Sequence, residues 1–424
     1  MFLPLNFWKK FAKLKRFIKH LRNLIHMWRN KSFDYFKNKP VVIVLSLGSQ
    51  GSSDEVARQA FLKNFHVHIF SPEFPVLEAS FSHSWTKVDT LKDFDKALSI
   101  ARNLKPVAIL VELKNILLPM QCYLADALEL RSIGELAAKT SNSKIALRQS
   151  LDIEQIKSVP WIKLEDFKSQ SDFTFPGVIK PDLGTSSKGV RFVNCKEDIF
   201  NNKITKSSDI VNDISVGENF LLEGYVKGKQ FDFEGVAVDG SYKLLCIVQE
   251  HYESLPPYFL PSCFYFNPPI SENDYNLMWS NTKSALKALG VRNGAWHLEQ
   301  RKDVNGTPRI IDYANRMGYN RLISQAAGVS FSGTYVDIMT NTDKEVETLK
   351  PKPILKILAL DKETIERMKI FVSDYPQYVL SKSFRSFEFS YHEYFGFVVL
   401  TFDNLDLQSQ LLNKYKLVPK GMVI

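Results

Sequence analysis

The stretch GAWHLEQRKDVNGTPRIIDYANRMG, residues 294–318, constrains the fold more than any other part of the chain. Two runs that alternate apolar and polar residues flank Asn305-Gly306, and that dipeptide between such runs is the strongest short-range hairpin signal. A two-residue turn sets Val304 opposite Thr307, and the same register continued along the ladder sets Glu299 opposite Asp312. Two carboxylates directly across a strand pair, with Cβ atoms about 5 Å apart, repel one another. A sequence tolerates this where a cation or a shared proton compensates, and Mg²⁺ held by one or two carboxylates plus phosphate oxygens is such a cation. The other reading is a solvated pair screened by Arg301 or Arg309. His297 falls on the Glu299 side of its strand, either orienting that site or serving as a structural histidine.

A chain of 424 residues with 45% hydrophobic content can bury a large core, and at roughly 100–200 residues per domain it holds two to four domains. Cys122, Cys195, Cys246 and Cys263 are far apart and form no CxxC, which excludes a disulfide framework or a zinc site as an expectation and fits a reducing compartment. No apolar run approaches the roughly 18 residues of a membrane span. The net charge of +9 is local: residues 1–39 carry 11 Lys or Arg against Asp34, a balance of +10, which leaves −1 for the remainder. In that tail Phe7, Phe11, Leu14, Ile18, Leu21, Ile25 and Trp28 recur every three or four residues between lysines and arginines, the pattern of one basic amphipathic helix. Three uses compete for it: a membrane-surface helix over residues 7–28, packing on the protein's own body or on a partner subunit, or a nucleic-acid or organelle-targeting segment. It lacks the uncharged core and cleavage site of a secretory signal. The expected location is cytoplasmic, with peripheral membrane contact open; nucleic acid is not an expected partner, and a homodimer remains open.

From Lys39 the pattern changes. PVVIVLSLGS, EVARQAFLKN and FHVHIFSP read as strand, helix and strand, a βαβ opening of parallel-sheet type that continues through PVAILVEL and CYLADALEL. Gly48 and Gly51 permit a dinucleotide turn but fit better a turn facing a substrate pocket at the carboxyl edge of the sheet. Further on, FPGVIKPDLGTSSKGVRFV has P-loop glycine spacing from Gly184 to Gly189, but Lys188 precedes the second glycine, and Val190 and Arg191 follow it. The loop therefore joins two strands. It can fold as a flap over a phosphate chain, with Thr185, Ser186 and Ser187 letting backbone N–H groups approach the oxygens, or it is an ordinary hairpin.

In order, VIKP, the glycine loop, LLEGYVKGKQFDFEGVAVDG, ALGVRNGAWHLEQR and IIDYANRMG resemble an ATP-grasp enzyme, most closely the carboxylate–amine ligases that include bacterial L-amino-acid ligases. The likeness runs from about residue 40 to the C-terminus; ESLPPYFLPSCFYFNPPI and YFGFVVLTFDNLDLQSQLLNKYKLV are similar to further parts of those ligases. The resemblance implies an α/β and α+β multidomain ATP-grasp fold. Residues 1–39 would be the basic extension, 40–135 a Rossmann-like domain, 136–222 the lid region, 223–345 the antiparallel catalytic sheet, and 346–424 a small C-terminal α+β portion.

It also implies ATP and Mg²⁺. Lys180 and Lys144 resemble the lysines that contact phosphates, Glu223 with Gly224, Tyr225 and Val226 the adenine hinge, Glu299 and Asp312 the Mg²⁺ ligands, and Arg316 the arginine beside the transferred phosphoryl and acyl groups. The implied reaction joins a small-molecule carboxylate to an amine through an acyl phosphate, releasing ADP and phosphate. Three positions depart from the pattern: Gln230 stands where a ribose-binding glutamate is usual, Asp312 is one methylene shorter than the usual glutamate, and Tyr319 replaces a glycine. A nucleotide-binding pseudoenzyme with a regulatory or scaffold role is accordingly the rival class. Neither substrate is legible, although Phe and Tyr around residues 252–266 suggest an apolar wall.

Overall fold

The computed structural model describes residues 39–48, 52–168, 172–184, 187, 189–201, 219–254, 260–318, 328, 330–342, 353–389 and 392–418. The basic helix expected over residues 7–28 lies outside them, as do Gly51, Thr185, Ser186, Lys188 and Tyr319. The chain divides into two compact units, Met1–Ser132 with Val336–Asp343, and Ile133–Tyr335 with Lys344–Ile424.

In the first unit the strands β1 (Val41–Leu45), β2 (His66–Ser71), β3 (Ser84–Lys87) and β4 (Ala108–Leu110) form a parallel sheet in the order β3-β2-β1-β4. β1 is apolar and almost wholly buried, as a parallel strand covered on both faces must be. Helix α1 (Asp54–Leu62) connects β1 to β2 and α2 (Phe94–Leu104) connects β3 to β4, while α3 (Leu118–Ala127) follows β4. At the start of α1, where a nucleotide phosphate would sit in a dinucleotide fold, the chain uses its own acids. Glu78 Oε1 accepts from Ser46 Oγ (2.7 Å) and the Ser52 and Ser53 N–H groups (3.1 and 3.3 Å), and Glu112 Oε2 accepts from the Glu55 and Val56 N–H groups (3.1 and 3.2 Å). Those four amides are therefore held by side-chain carboxylates.

In the second unit, α4 (Glu135–Asn142) and α5 (Lys144–Ile153) lead into a four-stranded antiparallel sheet of β5 (Trp161–Lys163), β6 (Gly177–Pro181), β7 (Arg191–Val193) and β8 (Phe220–Gly224), ordered β5-β8-β6-β7; α6 (Lys196–Asn201) follows β7. Phe167, Ile179, Val193, Phe220 and Leu222 are its core.

The main sheet contains β9 (Gln230–Val238), β10 (Ser241–Ser254), β11 (Leu260–Phe266), β12 (Gly294–Lys302), β13 (Pro308–Ala314), β14 (Ile354–Ala359), β15 (Val379–Ser383) and, after the hairpin of β16 (Phe387–Phe389) and β17 (His392–Tyr394), β18 (Gly396–Thr401). Its order is β13-β12-β9-β10-β11-β14-β18-β15, with antiparallel neighbours throughout. Residues 346–424 thus extend this sheet by three strands. Helix α7 (Glu272–Ala288) backs β9, β12 and β13, with Phe231, Phe233, Trp296, Leu298, Ile310 and Tyr313 packed against Met278, Ala285 and Leu286. The helices α8 (Phe331–Met339), α9 (Lys362–Asp374) and α10 (Leu405–Lys414) complete the chain, α9 and α10 packing beside β14 and β18.

One expectation needs correcting at the hairpin. The turn has three residues, Val304, Asn305 and Gly306, closed by Asp303 N–H to Thr307 O (2.9 Å), with Gly306 at φ +77°. Asp303 Oδ1 accepts from the Asn305 and Thr307 N–H groups (3.0 and 2.9 Å), which favours this longer loop with a left-handed glycine over the two-residue turn. The register therefore starts one residue off, Lys302 opposite Pro308, and a bulge at Ile311 restores it, so that Glu299 does pair with Asp312. The bulge also leaves the Ile311 carbonyl out of the ladder.

Candidate active site

Helix α5 is held at its start by Asp182. The N-cap Ser143 gives its hydroxyl to Asp182 Oδ1 (2.7 Å), and the Ile145 N–H goes to the same oxygen (2.9 Å). This fixes Lys144, whose Nζ donates to Gly184 O (3.1 Å) and lies 3.5 Å from Asp312 Oδ2. One turn on, the fully buried Arg148 gives Nε to Glu223 Oε1 (2.7 Å), Nη1 to Ser158 Oγ and Ile310 O (2.9 and 3.1 Å), and Nη2 to Ile311 O (2.5 Å). Lys180, at the end of β6, gives Nζ to Glu223 Oε2 (2.9 Å) and Ile311 O (3.2 Å). The freed carbonyl of the bulge is thus an acceptor for both cations. Burial works against ionised Glu223, but Arg148 and Lys180 outweigh it and hold the carboxyl below its usual range. Asp312 behaves alike, burial opposed by Lys144, Lys180 and Arg148 with a net lowering.

The opposite charge pattern covers one face of β9, β12 and β10. Gln230, Asp232 and Glu234 alternate with Phe231, Phe233 and Gly235; Arg301, Glu299 and His297 lie across from them on β12, and Glu250 lies across from Gln230 on β10. Burial, followed by the charges of Glu250 and Glu299, raises the Asp232 carboxyl well above its usual range, and burial together with Glu299 raises Glu250. The Tyr252 hydroxyl donates to Glu250. His297 bridges Glu234 Oε1 (2.9 Å) and Glu299 Oε1 (3.3 Å); although burial alone would lower it, those two hydrogen bonds carry its basicity well above the ordinary histidine value. Gly318 is where the chain passes closest, since a Cβ there would lie 1.8 Å from Glu234 Oε1.

Arg316 follows β13. It gives Nη1 to Met317 O (2.8 Å), while its Nε is buried without a hydrogen-bond partner. Burial lowers its basicity, opposed by Asp312, Glu299 and Glu234. An orphaned guanidinium N–H beside two half-exposed carboxylates is a place for an anion, and a metal-bound phosphate satisfies both signs of charge at once. Among the described residues no group of three or more His, Cys, Asp or Glu is arranged to hold a metal. Glu299 and Asp312 fit Mg²⁺ as a two-carboxylate set completed by phosphate oxygens and water.

At the end of β8, the Gly224 and Tyr225 N–H groups donate to Pro160 O (2.8 Å) and Pro176 O (3.0 Å), and the Val226 carbonyl accepts from Arg301 Nη1 (3.3 Å). Ser187, in the glycine loop, has φ +54° and accepts at its carbonyl from the Val190 N–H (3.2 Å). Sequence reasoning missed Arg148, Asp232, Glu234, Glu250 and Tyr252, and read Arg301 only as a screening charge. The alternation of polar residues with aromatics in QFDFE was a usable signal for Asp232 and Glu234.

Residues 173–321 match a family described as ATP-grasp domain. The chain carries an ATP-grasp domain. Lys180, Glu223, Gln230, Glu299, Asp312 and Arg316 fall inside the matched stretch, and Lys144 and Arg148 precede it. The fold is the ATP-grasp fold, with its parallel N-terminal sheet, small antiparallel sheet and large antiparallel sheet. It is similar to that of an L-amino acid ligase from Bacillus licheniformis, at TM-score 0.67 and 18% identity over 89% of this chain and 97% of the other. An N5-carboxyaminoimidazole synthetase from Staphylococcus aureus complexed with ADP aligns at TM-score 0.66 and 13% identity, over 89% and 98% of the two chains. The biotin carboxylase domain of a Hydrogenobacter thermophilus 2-oxoglutarate carboxylase, in complex with ADP, its magnesium salt and bicarbonate, aligns at 0.61 and 13%, over 88% and 89%. No curated protein matches by sequence. ATP-grasp domains generally belong to ATP-dependent carboxylate–amine ligases that act on small molecules. Among the described residues no helix is long and apolar enough to cross a membrane.

Proposed function

We propose that this protein is an ATP-dependent ligase that joins the carboxylate of an amino acid to an amine, with the carboxylate activated as an acyl phosphate and ADP and phosphate released. The observation that carries this reading is the buried, partnerless Arg316 Nε beside the opposed carboxylates Glu299 and Asp312, with Lys144 adjoining Asp312. Bound Mg²⁺·ATP would supply the phosphoryl group and neutralise its charge in transfer. The residues of the chain do the rest. Glu299 and Asp312 would hold the metal, His297 fixes the Glu299 side chain, and Lys144 and Lys180 would meet the phosphates as point charges. Arg316 stabilises negative charge that develops on the activated carboxylate. The hinge Glu223–Val226 borders the base. The N-terminal segment 7–28 is proposed as a membrane-surface element, so removal of residues 1–37 is expected to abolish cosedimentation with anionic vesicles and leave turnover unchanged.

The deciding experiment is ADP release across a panel of amino-acid pairs with Mg²⁺, and mass spectrometry of the products. Amine-dependent ADP formation with a condensed product supports the ligase. The second reading, a nucleotide-binding module without turnover, draws on Lys180, whose side chain is only 9% exposed and is engaged by Glu223. ATP binding with no ADP from any pair would favour it.

A further inference from the structure

We infer that Gln230 and Arg301 act together as positioning residues that tie the hinge after β8 to the carboxylate of Glu299. The inference rests on the ligase reading for what the hinge and Glu299 do, and on geometry for how they are joined. Gln230 is 3% exposed, and its Oε1 accepts from Arg301 Nε (3.2 Å) and Nη2 (3.0 Å). A guanidinium has only donors, so this contact settles which end of the amide is oxygen. Nε2 must then face the acids, and it does: Glu299 Oε2 at 3.0 Å, Asp232 Oδ1 at 3.2 Å and Glu250 Oε2 at 3.2 Å.

Arg301 itself is 7% exposed and lies against the rings of Tyr225 and Tyr252, at 5.7 and 5.6 Å, while its Nη1 reaches Val226 O. A single connected chain results, from the Val226 carbonyl through the guanidinium and the amide to the Glu299 carboxylate. Both ends of Gln230 are occupied by these contacts, so its part is to hold other groups and not to touch the nucleotide.

The charge pattern makes this testable. Three carboxyl groups converge on the Gln230 amide nitrogen, so the position calls for a donor and disfavours another acid. A glutamate there could still receive Arg301 through one oxygen, but its other oxygen would replace the donor by a fourth acid. Gln230 and Asp232 are therefore coupled, each tolerable because of the other.

The experiment is a double-mutant cycle of Gln230→Glu and Asp232→Asn, with Arg301→Lys alongside, read by the thermal midpoint of the full chain free of metal and nucleotide and by steady-state kinetics. Gln230→Glu is expected to lower the midpoint by about 4 °C or more, and adding Asp232→Asn to recover at least half of that loss. If the single variant fails to fold, a folded double variant is the supporting result. Arg301→Lys keeps the charge but loses the planar fork, so the KM for ATP is expected to rise about fivefold or more with kcat within about twofold, where a purely structural role would leave KM unmoved. A midpoint for Gln230→Glu at or above that of the wild type, or strictly additive shifts, overturns the coupling. An unchanged KM in Arg301→Lys overturns the link to the hinge. Absence of ATP binding by the wild type would instead remove the proposed function, and the thermal cycle alone would then decide the role of Gln230.

Discussion

Two clusters of charge in the second unit are built on opposite plans. Around Glu223 every charge has found its complement: Arg148 and Lys180 share the carboxylate, and the carbonyls of Ile310 and Ile311 take the remaining donors. On the β9–β12–β10 face, acid groups meet acid groups, eased by the Gln230 amide, His297 and the Tyr252 hydroxyl. The first cluster is complete without a ligand, whereas the second keeps acid–acid contacts that, under the proposed function, a bound cation would relieve. If the proposed function holds, the chain has both a settled region that needs no ligand and an unsettled one whose repulsion metal binding would release.

The comparison breaks most readily at Arg148. Arg148→Met leaves Glu223 and the Ile311 carbonyl with Lys180 alone and takes a donor from the Ile310 carbonyl, so a loss of about 3–5 kcal/mol is expected in urea unfolding; a change under about 1 kcal/mol would mean that the cluster is not complete in the sense described. On the other side, Glu299→Gln is expected to lower ATP turnover by about a hundredfold or more, equivalent to about 3 kcal/mol in the barrier, with the apo protein as stable as the wild type or more so. Undiminished turnover would remove Glu299 from the metal site.

Acidity sharpens the same contrast, because the two regions respond with opposite sign. Glu223 and Asp312 titrate below their usual range, so they contribute stability above about pH 4 that disappears as the pH falls through their folded values. Asp232 and Glu250 titrate above theirs, so they withdraw stability at neutral pH and return it as the pH falls through their raised values; His297, also raised, contributes stability that is lost as the pH rises through its folded value. Unfolding free energy of the metal-free protein is expected to increase from pH 8 into mild acid and to fall below about pH 4, with Asp232→Asn flattening the first limb. A steady decline from pH 8 downward would contradict this. The smallest effect is expected from Asp312→Glu: in a working ligase the longer carboxylate crowds Lys144 and activity stays equal or drops, whereas gain of turnover from an inactive wild type would favour the module without chemistry.

How much of this could be read from the sequence differs between the two clusters for a physical reason. The carboxylate face follows from period-two alternation, so Glu299, His297 and Asp312 were accessible from strand register alone, and QFDFE carried the same signal for Asp232 and Glu234. Even so, the pairing of Glu299 with Asp312 came out right through two compensating features, a turn one residue longer than expected and a bulge that no local pattern announces. The cation cluster joins residues on α5, β6 and β8 and backbone carbonyls of β13, contacts of long sequence separation, while the carboxylate one helical turn after Arg148, Asp152, accepts from the Trp161 indole. Lys180 and Glu223 were singled out from resemblance, yet their mutual ion pair was not foreseen. In the parallel sheet, the apolar run of β1 announced a buried strand, but β3, with its polar SWTK, did not.

The bulge at Ile311 has a consequence for how such a hairpin can vary. Side chains change faces with every single-residue step, so straightening the strand at Ile311 with the turn unchanged would send Asp312 to the core side and bring an isoleucine opposite Glu299. Losing the bulge while the turn closes with Val304 opposite Thr307 would leave the pair on one face of the sheet. Among chains that keep the carboxylate pair, the bulge is therefore expected where the turn closes one residue early, as here, and to be missing where the ladder runs in register from the turn to the pair.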